Sequence, residues 1–375
     1  MKRYSALGTA DFEQKVEAIL AAIVHEFSAT VDQRSVKALV LGGGYGRGEG
    51  GVLQAGGKEE LYNDLDLFVF TRKLDTVAKY TLQKQLRMLH AKLSERYHLE
   101  IDFSTPKDVS KLSREPFSLM MYDLSQGYRV LWGKLDLKLY LPAWKAAQMP
   151  AEEAVKLLLN RAMGLFFSRE KLESSTPELD FINRNMHKAW QALGEGILIT
   201  EKAYHSSSAK KISRLKMLKL EGYTAFPAFM DRFEEAMQFK LQPEPQRYSE
   251  RELRQRLQEI IPVFEEVYYH VWSVLSGLIV SSESSYQEAV RYFLGDKTGL
   301  GSLAKNLLLN LRDRSWQPGT LSLAYPRQRL YLALPWLLFG HSGPTPELCE
   351  ILGVPPGQTR KTLQERFVLL WQRYN

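Results

Sequence analysis

The run Ala38-Leu39-Val40-Leu41, followed at once by Gly42-Gly43-Gly44-Tyr45-Gly46-Arg47-Gly48-Glu49, constrains the fold more than any other part of this chain. Consecutive apolar residues of this length have the composition of a buried strand. The glycines behind them let the backbone turn sharply and come close to a ligand. A helix is expected just beyond the turn. Further on, Asn63-Asp64-Leu65-Asp66-Leu67-Phe68-Val69-Phe70 reads as another strand. Side chains alternate across a strand, so Asp64 and Asp66 share one face while Leu65 and Leu67 share the other. Carboxylates gathered on one face repel, and a divalent cation relieves that repulsion. Magnesium is the natural candidate, with manganese as its substitute.

A further acid sits in Leu99-Glu100-Ile101-Asp102-Phe103-Ser104, a short strand-like run after a helical stretch. The alternation groups Glu100, Asp102 and Ser104 on one face and leaves Ile101 and Phe103 for the core. On a neighbouring strand, Asp102 would complete a cage with Asp64 and Asp66. Glu100 competes for the same role, and spacing alone does not choose between them.

The stretch Gly43 to Glu49, together with Asp64-Leu65-Asp66 and the later strand aspartate, resembles the DNA polymerase beta superfamily of nucleotidyltransferases. Within it, Gly-Gly-Tyr-Gly-Arg-Gly-Glu is most similar to the PII-protein uridylyltransferases, and the Arg-Gly-Glu core also to the small stand-alone nucleotidyltransferases. The resemblance covers roughly the first third of the chain. It implies an α/β (α+β) domain with a small mixed sheet, in which Gly43 and Gly44 hold a nucleoside triphosphate. It also implies that Asp64, Asp66 and Asp102 are the metal ligands, with Asp102 activating an acceptor hydroxyl as pyrophosphate leaves. Arg47 either helps to hold phosphate charge or braces the turn. Many members carry serine where Gly44 stands, so a phosphate contact there comes from the backbone N–H. The loop from Gly50 to Asn63 is longer than the compact family spacing and reads as a flap or a surface insertion. No His-Asp pair or tandem regulatory domain follows, so the likeness to the large uridylyltransferases stops at the catalytic domain.

Strand and helix patterns mix as far as an edge strand at Tyr128 to Gly133, and long helical runs take over beyond Pro150. The expected organisation is a catalytic domain over 1–142 and an all-α helical bundle domain over 143–375, with a C-terminal helical part separable after about residue 285. A helix beginning near Asp180 is expected to continue to Tyr204. In related enzymes such a bundle forms the other wall of the cleft. By that analogy Tyr204 would stack on a base and Lys210 or Lys211 would bind phosphate. The competing reading makes Tyr204 a core residue at the end of an amphipathic helix. Lys202, Lys210, Lys211, Arg214, Lys216 and Lys219 follow one another with no acid between them. They form either a solvated helix face beside Ile212, Leu215, Met217, Leu218 and Leu220 or a positive wall facing an anion.

At 375 residues the chain is long enough for two domains with sizeable cores. Its single cysteine, Cys349, excludes an internal disulfide framework and fits a reducing compartment. Basic residues at the amino terminus are followed by no apolar core, so no signal peptide is expected. The apolar stretch from Val267 to Val280 is interrupted by His270 and Ser273 and is short for a membrane span. A cytoplasmic, soluble protein without a membrane partner is expected. The histidines show no pair at helical ligand spacing, so no zinc site is expected. The net charge of +7 accompanies no aromatic-interleaved basic strand of a nucleic-acid module. The function expected from these residues is transfer of a nucleoside monophosphate to a hydroxyl on protein, a small molecule or RNA. The alternative is a catalytically silent module of the same fold that binds a nucleotide or a partner.

Overall fold

Alternation along Leu65–Thr71 (β4) divides the amino-terminal core into two layers. Leu65, Leu67 and Val69 join Leu39, Leu41 and Ile101 beneath two amphipathic helices, α1 (Ala10–Thr30) and α3 (Thr76–Tyr97). Phe68 and Phe70 pack on the opposite face with Ala38, Val40, Leu112, Met121 and Leu124. Thr9 caps α1 by accepting the Phe12 N–H, and Asp75 caps α3 by accepting the Ala78 N–H at 2.8 Å. Each thereby satisfies a donor that the first helical turn leaves unpaired.

The computed structural model describes residues 4–218, 226–295, 300–313, 325–340 and 346–374. The chain forms two compact units, the first comprising Met1–Pro150, Glu201–Lys219 and Met230–Arg247, the second Ala151–Thr200, Leu220–Phe229 and Tyr248–Asn375. The first unit therefore includes segments beyond residue 143 that the sequence pattern groups with the bundle.

In the first unit, β1 (Val36–Leu41) leads into a single glycine-rich turn of helix, α2 (Gly43–Arg47). The hairpin β2 (Val52–Ala55) and β3 (Lys58–Leu61) precedes β4, and β5 (Ile101–Phe103) and β6 (Lys107–Asp108) follow α3. Then come α4 (Leu119–Gln126) and β7 (Arg129–Gly133). The main sheet runs β5-β4-β1-β7, with β6 also paired to β4. It is mixed: β1 is antiparallel to β4 and β7, whereas β5 and β6 are parallel to β4. The Gly50 to Asn63 loop is thus a two-stranded hairpin. Its turn, Gly56-Gly57, has φ of +57° and +76°, the positive values that a tight two-residue hairpin demands.

The second unit is helical. It contains α5 (Ala151–Leu172), α6 (Leu179–Thr200), α9 (Glu250–Ser276), α10 (Glu283–Gly295), α11 (Leu300–Arg312), α12 (Pro326–Leu338), α13 (Pro346–Leu352) and α14 (Arg360–Tyr374). Two more helices, α7 (Ser208–Met217) and α8 (Phe226–Leu241), lie between α6 and α9 in sequence, α7 belonging to the first unit and α8 containing a unit boundary. Helices α5, α6 and α9 pack together, and α12 packs on α5, α10 and α14. A capping box of Ser249 and Glu252 starts α9, which buries Leu253, Leu257, Ile260, Phe264 and Val267 along one stripe. Helix α6 stops at Thr200, short of Tyr204, and Lys202 takes a φ of +56°. Among the described residues no helix is long and apolar enough to cross a membrane. Of the basic run, Lys219 lies outside the described residues, as does Leu220 of its expected apolar stripe.

Candidate functional site

The glycine turn is fastened to the aspartate strand through the backbone. The Gly42 N–H donates to the Asp66 carbonyl at 2.8 Å, extending the β1–β4 ladder by one bond. Gly43 then adopts a φ of +60°, and a Cβ on it would stand 1.8 Å from Asp66 Oδ2. Glycine is required there on both counts: the left-handed backbone and the carboxylate lying against its Cα. Gly44 and Gly46 are also crowded, since Cβ atoms would meet Glu49 O at 3.1 Å and Leu41 O at 2.5 Å. Gly48 ends the turn at a φ of +79°.

Asp66 lies opposite Asp102 in the parallel register of β4 and β5, between the pairs Leu65–Ile101 and Leu67–Phe103. Neighbouring strands are about 4.8 Å apart, so the register sets the two backbones side by side; among the described residues, the donor atoms that gather within 4.8 Å of one another are those of His90, Glu100 and Asp102, without Asp64 or Asp66. Asp64 sits one residue before β4, and the Leu65 N–H donates to the Glu100 carbonyl at 2.9 Å, holding the two strand starts level. Burial pushes the Asp102 carboxyl up, and the negative charges of Glu100 and Asp64 push it further against the pull of His90.

Asp102 is on an edge strand, and its side chain also reaches His90 on α3. Oδ1 is 3.5 Å from His90 Nδ1, while Glu100 Oε1 is 3.7 Å from His90 Nε2. A cavity of about 320 Å³ opens beside them, lined by Gln83, Arg87, His90, Asp102, Ser104 and Thr105 over an apolar floor. Asp102 is thus in backbone register with Asp66, while its side chain and that of Glu100 stand beside His90.

Tyr45, buried inside the glycine turn, positions the Asp64 corner. Its hydroxyl donates to the Gly51 carbonyl at 2.7 Å and accepts the Tyr62 N–H at 3.3 Å, and burial raises its proton affinity above the ordinary tyrosine value. Asn63 Oδ1 accepts the Gly51 N–H at 2.7 Å. The hairpin is thereby closed at its base, immediately before Asp64. The sequence signal for this arrangement was the two-residue glycine turn between Ala55 and Lys58, which requires a hairpin and brings Gly51 and Asn63 together.

Glu49, the last residue of the motif, lies at the start of α7. It accepts from the Ser208 N–H and hydroxyl, each at 2.9 Å, and has Lys240 Nζ at 3.6 Å. Burial alone would raise its pKa, but Lys240, the Ser208 bonds and Arg47 together hold the carboxyl below the usual glutamate range. A carboxylate beside a buried helix start satisfies unpaired N–H groups and complements the positive end of the helix dipole.

Several expected nucleotide ligands have structural places instead. Tyr204 is 0% exposed, its hydroxyl donates to Asp123 at 2.9 Å, and its ring packs edge-on against Tyr122. Lys211 is 2% exposed and sits 4.8 Å over the Tyr204 ring. Neither Tyr204, expected to stack on a base, nor Lys211, expected to bind phosphate, offers its side chain to solvent. Arg47 lies 3.7 Å from Asp123, the same acid that anchors Tyr204, which favours the bracing role. Arg214 donates to the Ala203 and Tyr204 carbonyls, and Lys216 pairs with Glu234 at 2.7 Å. Lys210 is exposed on α7. Met217, expected in the buried stripe, is exposed, whereas Leu215 is buried.

Comparison with protein-family models, with curated proteins and with solved structures returns no match.

Proposed function

We propose that the first unit is a magnesium-dependent nucleotidyltransferase domain that moves a nucleoside monophosphate from a nucleoside triphosphate to an acceptor hydroxyl. The observation carrying this reading is the Asp66–Asp102 register with Gly43 pressed against the Asp66 carboxylate. A side chain at 43 would push the Asp66 carboxylate aside, and glycine there lets the backbone of the turn lie against that acid. Asp64 adds its charge to the same corner. The donors are carboxylate oxygens, the chemistry that suits a hard cation such as Mg2+ or Mn2+. Asp64, Asp66 and Asp102 would hold it. When bound, such an ion neutralises phosphate charge and lowers the pKa of an attached hydroxyl.

The chain's own residues supply the rest. Backbone N–H groups at Gly43 and Gly44 bind phosphate oxygens, helped by the close approach that glycine permits. Asp102 accepts the acceptor's proton, since a half-exposed carboxylate at the sheet edge is accessible to it. Arg47 and Tyr204 act at a distance by fixing Asp123, and Glu49 fixes the start of α7 beside the turn. Lys210 remains for an anionic substrate.

The test is incubation with each labelled nucleoside triphosphate, Mg2+ or Mn2+, and a cell extract fractionated into protein, RNA and small molecules. Label transfer that disappears in Asp66→Asn supports the reading and names the acceptor class. Nucleotide binding without pyrophosphate release in every fraction assigns the silent alternative.

A further inference from the structure

His90 is the only histidine of the described residues that stands within a cluster of potential metal donors, and the cluster is assembled by tertiary structure: His90 comes from α3, Asp102 from β5 and Glu100 from the residue just before that strand. Its Nδ1 lies 3.0 Å from the Ile101 carbonyl. A carbonyl oxygen only accepts, so in the neutral ring the proton is on Nδ1 and the Nε2 lone pair is available. An N–H bond to a backbone carbonyl on the far side of the ring is how proteins fix the tautomer and orientation of a metal-binding imidazole. Nε2 faces Glu100 Oε1 at 3.7 Å, and one ligand atom from each of His90, Glu100 and Asp102 lies within 4.8 Å of the others. Around one ion with bonds of about 2.1 Å, ligand atoms stand about 3 to 3.5 Å apart, so the set closes when Asp102, whose Oδ1 lies 3.5 Å from Nδ1, rotates toward Nε2.

We propose that His90, Glu100 and Asp102 form a site for a divalent transition-metal ion, of the class of Zn2+, Co2+ or Mn2+, at the edge of the sheet. A nitrogen donor beside carboxylates favours these ions over Mg2+, which prefers an all-oxygen shell. Three protein ligands leave coordination positions open, and the adjacent cavity of about 320 Å³, lined by His90 and Asp102, has room for water or a ligand group to fill them. The side chains of Glu100 and Asp102 are 55% and 54% exposed, so an ion enters from solvent without opening the core. Because Asp102 is shared with the proposed transfer site, filling the edge site draws it away from Asp66; this last consequence rests on the function proposed above.

The experiment is titration of the full chain with Co2+, followed by visible absorption, in the wild type, His90→Ala, Glu100→Gln and Asp66→Asn. One bound ion is expected in the wild type, with affinity about tenfold weaker or worse in His90→Ala and Glu100→Gln and unchanged in Asp66→Asn. Glu100→Gln keeps the side-chain size at an exposed position, so its fold is preserved even if His90→Ala unfolds. Absence of a Co2+ spectrum in the wild type overturns the proposal, as does wild-type affinity in folded Glu100→Gln. Equal loss in Asp66→Asn overturns it too, placing the ion at the other carboxylates. Magnesium–nucleotide binding measured on the same samples reports on the transfer site separately: its absence in the wild type, with Co2+ bound as expected, rejects the transferase reading and leaves the edge site standing.

Discussion

Replacing Gly43 with alanine separates two costs that the structure lets one weigh independently. The first is the backbone: at a φ of +60° an L-residue loses about 1 to 2 kcal/mol relative to glycine. The second is contact, because the new Cβ would lie 1.8 Å from Asp66 Oδ2 and 2.9 Å from its Cγ, so the carboxylate must swing aside. Overpacking of this kind costs a further 1 to 3 kcal/mol, roughly. Gly56 provides the internal control. Its φ of +57° is nearly the same, and nothing lies within 4 Å of its Cβ position. Gly56→Ala should therefore lose about 1 to 2 kcal/mol, and Gly43→Ala about 2 to 5 kcal/mol, the sum of the two costs. Urea denaturation of both variants measures the difference, and titration with Mg2+–nucleotide under folding conditions measures function. The binding loss should be confined to Gly43→Ala, because only there is Asp66 displaced. Equal destabilisation of the two variants would show that Asp66 yields freely. Unchanged nucleotide affinity in a folded Gly43→Ala would refute the argument that the glycine turn beside Asp66 holds phosphate.

Asp64→Asn and Asp66→Asn should abolish transfer while keeping the melting transition at or above the wild-type temperature, because each removes a charge from a repelling group; transfer at wild-type rate by either rejects the metal assignment. Asp102→Asn should depress single-turnover transfer strongly with nucleotide affinity largely kept, and Glu100→Gln should be mild by comparison, with the reverse pattern exchanging their roles. Glu49 has a lowered pKa, so its contribution to stability is complete above the ordinary carboxylate range of about 4 to 4.5 and is lost as the pH falls through its folded value. Glu49→Gln should accordingly destabilise the first unit at pH 7 and narrow its gap to wild type in acid, seen in denaturation midpoints across pH; a constant gap would remove the charge from the explanation. Tyr204→Phe deletes a hydrogen bond to an ionised acid and should cost about 1.5 to 3 kcal/mol without changing nucleotide affinity, whereas a selective affinity loss in a stable variant would restore a ligand role to Tyr204.

Local chemistry made much of the first unit readable. An apolar run ending in glycines specifies β1 and its turn, and period-two alternation specifies which side chains of β4 are buried. The capping aspartate and leucine spacing specify α3. These signals act between residues a few positions apart, so the chain reports them directly. Helix α12 carries little periodic signal, because nearly every side is buried and Pro335 interrupts its pattern, leaving no polar face to mark a period.

Long-range pairing was decided only in three dimensions. Alternation could place Asp102 on a strand face but not choose its partner; the parallel β4–β5 register sets it opposite Asp66. The same edge position carries it to His90 on α3, a juxtaposition that no helical histidine spacing could announce. Likewise, Tyr204 and Lys211 looked available to a nucleotide until Asp123 and the ring of Tyr204 enclosed them. Glu49 found its role only when α7, more than a hundred residues later, brought Ser208 to it. A sequence specifies the chemistry each side chain offers and the local path of the backbone. Which group meets that chemistry depends on cooperative packing of distant elements, where the cost of leaving polar groups unpaired selects one arrangement from many locally equivalent ones.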